Sequence, residues 1–178
     1  MGTSSKELAH KLRKLAKRQH GCFTAAQALE TGYADSVHLY HVKTGNWIRI
    51  FRGVYRLASN TETPETRCMA TLLWTRDKSG IIQGFLTSKT TLALQKGTLT
   101  PDQPIYIGVP KGFRRSSTVP KGIHISFVSK NEYKTSKYDG LMVQEPMNKP
   151  SRSIPAAMDA PDYYDWLDYQ AVLCANHS

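Results

Sequence analysis

Acidic residues are scarce in this 178-residue chain: 14 Asp and Glu stand against 24 Lys and Arg, a formal charge of +10 at pH 7. Long apolar runs are missing as well, since no stretch approaches the about 18 consecutive apolar residues that a membrane span needs. The N-terminus MGTSSKELAHKLRKLAK lacks the apolar stretch and cleavage site of a secretory signal. A cytoplasmic protein without membrane contact is the expectation. Cysteine is rare: Cys22, Cys68 and Cys174 lie far apart with no CxxC pair, so buried free thiols are favoured over a metal site or a disulfide framework. Catalytic signatures are missing too, with no Gly-rich phosphate loop, no paired metal-binding motif and no nucleophile elbow. Asp139, Glu145, Asp159, Asp162, Asp165 and Asp168 do not fall into the acid, acid-x-Lys arrangement of a nuclease and read as surface carboxylates. The expectation is a non-enzyme with no cofactor and no metal.

What is present is positive charge, unevenly spread. Residues 1–60 carry 10 basic and 3 acidic side chains, residues 61–150 carry 13 and 7, and residues 151–178 carry 1 and 4. The charge is densest where the chain begins, and a surplus of this sign points to a polyanionic partner. With 40% hydrophobic residues, the length suits a small core beside a medium one. The expected division is 1–60 and 61–178.

The first part has a helical rhythm. Ser4 and Glu7 are spaced as a capping box, Leu8, Leu12, Leu15 and Ala16 recur on one face, and Gly21 offers a stop. Thr24 and Gln27 repeat the box before a short helix that ends near Gly32, and Asp35 or Ser36 can cap a third helix over 37–44, closed by Gly45. Two short helices joined by a Gly-containing turn have helix-turn-helix spacing. The period then changes: WIRIF, a turn at Arg52-Gly53 and VYRLA read as a hairpin, the wing of a winged helix-turn-helix.

In such a module the second helix of the turn enters the major groove and the wing meets phosphates. With Leu39 and Val42 facing the core, Ser36, Tyr40, His41, Lys43 and Thr44 lie outward or on the flanks as base or phosphate contacts, and Arg49, Arg52 and Arg56 act as phosphate clamps. Lys14, Lys17 and Arg18 of the first helix can add charge. His38 and His41, one turn apart, lack further ligands and read as one core-edge and one exposed histidine rather than a metal pair.

These residues carry a family resemblance. KLRKLAKRQHGCFTAAQALETGY followed by TGNWIRIFRGVYRL resembles the N-terminal domain of AbiEi-type antitoxins, with RGVYRL the most specific piece, and the likeness continues into GFLTSKTTLALQKG, PIYIGVPKGFRR and PSRSIPAAMDAPDYY. The resemblance implies a winged-helix domain that represses its own operon. It also implies a C-terminal antitoxin domain that counteracts a nucleotidyltransferase-like toxin without a stable protein complex, in a type IV toxin-antitoxin system. Beyond Asp159 the chain has room for one helix where longer relatives continue.

The second part reads as mixed α/β, making the whole chain α+β. Thr63-Pro64-Glu65 starts a helix with an apolar face at Cys68, Met69, Leu72 and Leu73, residues 81–86 read as a strand, Ser88 caps a helix through Lys96, and 105–109 and 123–128 read as strands. The loop between the last two holds Lys111, Phe113, Arg114, Arg115 and Lys121, a combination that could hold phosphates and stack on a base, or form a solvated hairpin tip. An amphipathic closing helix is expected over 163–174, and its acidic face could dock on the basic middle of the chain or on a second copy, as in a homodimer on DNA. Two rival functions stay open: a plain transcription factor whose second domain senses a ligand or dimerises, and a nuclease whose acids converge only in three dimensions.

Overall fold

A computed structural model describes residues 4–114 and 117–145. Arg115, Cys174 and the expected closing helix over 163–174 lie outside the described residues.

The chain begins with helix α1 (Ser5–Lys17), where Ser4 accepts a hydrogen bond from the Glu7 backbone at 3.3 Å, satisfying one of the orphan donors of the first turn. Glu7 itself pairs forward with Lys11 at 3.4 Å. Leu12 and Ala16 are buried, with Leu8 and Leu15 packed beside them, so the expected apolar stripe is the one that faces the core. Strand β1 (Cys22–Thr24), which the alternation of so short a segment does not reveal, leads into α2 (Ala25–Glu30). The α2 capping box is complete: Thr24 Oγ1 accepts from Gln27 N at 3.2 Å and Thr24 N donates to Gln27 Oε1 at 2.9 Å.

A 310 turn at Asp35–Val37 precedes α3 (His38–Lys43), so the third helix starts one residue later than expected and its first turn is wound more tightly. The hairpin follows as β2 (Trp47–Phe51) and β3 (Val54–Leu57). Gly53 closes it with φ +75°, a left-handed conformation that costs a glycine little. β3 lies between β1 and β2, both antiparallel to it, and a bulge falls between Arg49 and Phe51.

Alternation along this three-stranded sheet gives it two working faces. Phe23, Trp47, Tyr55 and Leu57 pack toward α1, α2 and α3. Cys22 and Val54 point the other way, into a core shared with α4 (Pro64–Trp74), which packs on β1 and β3. Helix α4 is capped by Thr63, with Pro64 in its first turn. It is buried not on one face but along most of its length, from Cys68 through Trp74, because it lies between two sheets. The regions expected for 1–60 and for the residues that follow thus share a core, and Met1–Pro146 forms one compact unit.

The second sheet has five strands in the order β6-β5-β4-β8-β7, formed by β4 (Phe85–Leu86), β5 (Ile105–Pro110), β6 (Ile123–Val128), β7 (Thr135–Tyr138) and β8 (Leu141–Gln144). Helix α5 (Ser88–Gln95) packs on β4, β5 and β8.

Three expectations are corrected here, and one hairpin is added. The strand expected over 81–86 is reduced to its last two residues, and Ile81 is 64% exposed. Asp77 Oδ1 accepts from Ile81 N at 2.9 Å and Ile81 O accepts from Asp77 N at 3.0 Å, which bends the segment into a turn. The cap of α5 is Thr87 rather than Ser88, whose hydroxyl instead reaches Gln144 Oε1 at 3.3 Å. β5 and β6 are parallel, so the loop between them crosses from one end of the sheet to the other and is not a hairpin tip. Finally, β7 and β8 form an unexpected hairpin at Asp139-Gly140, where both residues have positive φ, 48° and 78°, as the tight turn requires.

Candidate nucleic-acid interface

Trp47 holds α3, the second helix of the helix-turn-helix, to the wing. Its indole is buried at the start of β2 and meets Phe23 edge-on at 4.9 Å, Tyr33 at 5.1 Å, His38 at 5.3 Å and Tyr55 at 5.8 Å, while His41 stacks on it at 4.6 Å. Such ring pairs contribute about 0.5–1.5 kcal/mol each beyond burial. The rotation of α3 about its own axis is therefore set by His38 and His41.

That rotation differs from the expected one. His38 is buried, Val37 and Val42 pack at the core margin, and Leu39 is 61% exposed instead of facing the core. The tight turn at Asp35–Val37 shifts the phase of the residues that follow, and the aromatic cluster takes the imidazole in place of the leucine. His38 Nδ1 lies 3.4 Å from Asp35 Oδ1, while its Nε2 is buried without a hydrogen-bond partner among the described residues. Burial, and secondarily the charge of His38, hold the His41 pKa below its ordinary value.

The outward face of this region comprises Ser36, Leu39, Tyr40, Lys43 and Thr44, all exposed, with His41 half-buried at its edge. Leu39 was missed because an apolar side chain on a short helix reads as core. Asn46 was missed as well; its exposed amide donates to Thr44 Oγ1 at 3.0 Å, and Thr44 Oγ1 donates to Tyr40 O at 2.9 Å, so both side chains also close the end of the helix.

On the wing, Arg49 and Arg52 are exposed. Arg49 stands two residues from Trp47 and so shares its face of the sheet, the face on which the recognition helix packs. Arg56 is a correction: it is 7% exposed, on the opposite face with Cys22 and Val54, where it donates to Asn60 O and lies 3.4 Å from Glu62 Oε2. Strand alternation places Tyr55 against the helices and leaves Arg56 facing away from them. Lys14, Lys17 and Arg18 of α1 are exposed.

The β5–β6 crossing loop divides similarly. Lys111, Arg114 and Lys121 are exposed, whereas Phe113, expected as a stacking platform, is 6% exposed and packs against Trp74 at 6.1 Å. The core under the loop takes the ring because it is the loop's large apolar group. Cys22 and Cys68 are free, buried thiols whose pKa values burial raises to about 12. Among the described residues no group of three or more His, Cys, Asp or Glu is placed to hold a metal ion, and no helix is long and apolar enough to cross a membrane.

Three helices followed by a hairpin, with an exposed polar helix and Arg49 on the same face of the sheet, define a winged helix-turn-helix module. Residues 10–58 match the family described as transcriptional regulator, AbiEi antitoxin. The match runs from α1 through β3 and stops short of the five-stranded sheet. No curated protein matches the chain.

Proposed function

We propose that this protein is a cytoplasmic, non-catalytic DNA-binding repressor of its own operon and the antitoxin of a type IV system, counteracting a nucleotidyltransferase-like toxin without forming a stable complex with it. The observation that carries the DNA-binding half is the shared face of the recognition helix and wing: Tyr40 and Lys43 project from α3 on the side of the sheet that also bears Arg49. The helix would read base edges with Ser36, Leu39, Tyr40 and Lys43 while Arg49 and Arg52 hold phosphates on either side. His41 and Thr44 serve mainly to set the helix in place, one against Trp47 and the other at the helix end. The antitoxin half is supported by the family match over the winged helix and by the resemblance that continues into residues 84–115.

The test is binding to DNA from the protein's own upstream region against scrambled competitor across a salt series, with Lys43→Ala and Arg49→Ala alongside wild type. Sequence-selective binding that both changes weaken is the expected result. Binding that is absent, or indifferent to sequence, would overturn the repressor reading. Co-expression with the adjacent toxin gene tests the antitoxin half separately, the expected result being restored growth.

A further inference from the structure

The tip of the wing does not end in open solvent. An open cleft of about 780 Å³ lies beside it, lined by Arg52 and Gly53 on one side, by the turn that follows α4 on another, and by Phe113, Arg114 and Ser117 of the crossing loop. Its charge is one-sided: Arg52, Arg76, Lys78 and Arg114 face a single carboxylate, Asp77. That carboxylate is engaged by Ile81 N and lies 3.4 Å from Gln83 Nε2, and these hydrogen bonds lower its pKa. Arg76 is likewise committed, donating to Gly80 O and to Thr24 Oγ1.

Arg52, Lys78 and Arg114 are different. All three are exposed, and none pairs with a carboxylate among the described residues. Among the described residues Arg114 donates to the backbone oxygens of Lys111 and Phe113, bonds that hold its guanidinium without neutralising it. The Ser117 hydroxyl at the cleft wall has no hydrogen-bond partner among the described residues. Three uncompensated cations from three separated segments, converging on one open groove, make a site for phosphoryl oxygens. The groove is too open to enclose a small ligand, which normally has most of its surface buried in its pocket.

We infer that this cleft is a second phosphate site, in which Arg52, Lys78 and Arg114 hold the sugar-phosphate backbone of a DNA strand that continues past the wing. The inference rests on the DNA-binding reading above and extends it: the five-stranded part of the protein becomes a DNA-contacting element, and Arg52 links the two contact areas. Phosphate contacts carry no base information, so the cleft contributes affinity and footprint length but not sequence choice.

The experiment compares full-length wild type with a Lys78→Ala/Arg114→Ala double variant and a Lys96→Ala control on the upstream DNA, by salt-dependent affinity and hydroxyl-radical footprinting. Both altered side chains of the double variant are exposed, and equal melting temperatures would establish that folding is intact. The expected result is a salt slope shallower by about 2 for the double variant, with unchanged preference over scrambled DNA and a footprint shortened at the wing end. A slope and footprint equal to those of wild type, with DNA still bound, would overturn the cleft while leaving the repressor reading standing. If wild type binds no DNA, both readings fall. A parallel titration with inorganic pyrophosphate separates the sources of phosphate: saturable binding that the double variant loses, together with an unchanged DNA footprint, would assign the cleft to a free phosphoryl ligand and overturn the DNA-strand assignment.

Discussion

The imidazole of His41 lies flat on the indole of Trp47, with ring centroids 4.6 Å apart and planes 17° from parallel. One ring belongs to the recognition helix and the other to the first strand of the wing, so this stack fixes the angle between the two parts of the module that would touch DNA.

The stack makes stability depend on pH. Burial first, and the charge of His38 second, lower the His41 pKa from its ordinary 6.5, so the folded protein favours the neutral ring. The unfolded chain takes up its proton at about 6.5. The stabilisation is therefore intact above pH 6.5 and is lost as pH falls through the depressed folded-state value. Melting temperatures measured from pH 7.5 to 5.5 should fall for wild type and fall less for His41→Gln. Equal slopes in the two proteins would remove His41 as the cause.

Leu39 offers the opposite contrast, a large side chain that contributes little to the fold. At 61% exposed it buries too little for truncation to matter, so Leu39→Ala should change stability by no more than about 0.5 kcal/mol. Its position on the outer face of α3 suits contact with a thymine methyl. Competition binding should show reduced preference for upstream over scrambled DNA at nearly unchanged melting temperature.

Leu39 also marks how far the sequence could be read. Three helix starts were legible because caps are local: Ser4, Thr24 and Thr63 each accept the hydrogen bond that their spacing foretold, whereas the caps expected at Asp35 or Ser36 and at Ser88 make no such bond. The wing was legible because Arg52-Gly53 separates two β-rich runs. The facing of α3 was not, since it depends on Phe23, Tyr33, Trp47 and Tyr55, which converge from four separate stretches of chain. The burial of Phe113 against Trp74 and the parallel pairing of β5 with β6 are likewise products of tertiary packing, invisible to a window of neighbouring residues. The cleft at the wing tip draws Lys78 from the turn after α4, and its lining comes from segments far apart in the chain.

Arg56 tests the division between structural arginines and those proposed to contact DNA. Its guanidinium is held by Asn60 O and Glu62 beneath the sheet. Replacing it with Met would leave that carbonyl without its donor, and a loss of about 1–3 kcal/mol in urea unfolding is expected. The salt slope of DNA binding should stay at the wild-type value for Arg56→Met, whereas Arg49→Ala and Arg52→Ala should each lower it by about 1. A reduced slope for Arg56→Met would return this residue to the phosphate-clamp role that its place in the hairpin first suggested.

Phe113 and Arg114 are adjacent in the chain and opposite in exposure. The Phe113 ring belongs to the larger core and meets Trp74, so Phe113→Ala should open a cavity and cost about 3 kcal/mol. Arg114 projects from the same loop with no carboxylate partner among the described residues, and Arg114→Ala should leave unfolding unchanged while weakening DNA binding at low salt. Phe113→Leu supplies the control: it restores most of the buried volume, and so should recover most of the stability, but it offers no aromatic face to a base. If DNA affinity followed the ring while stability did not, the loop would stack on nucleic acid. If stability follows the volume and affinity is indifferent to the ring, Phe113 serves to anchor the loop that presents Arg114 to the cleft.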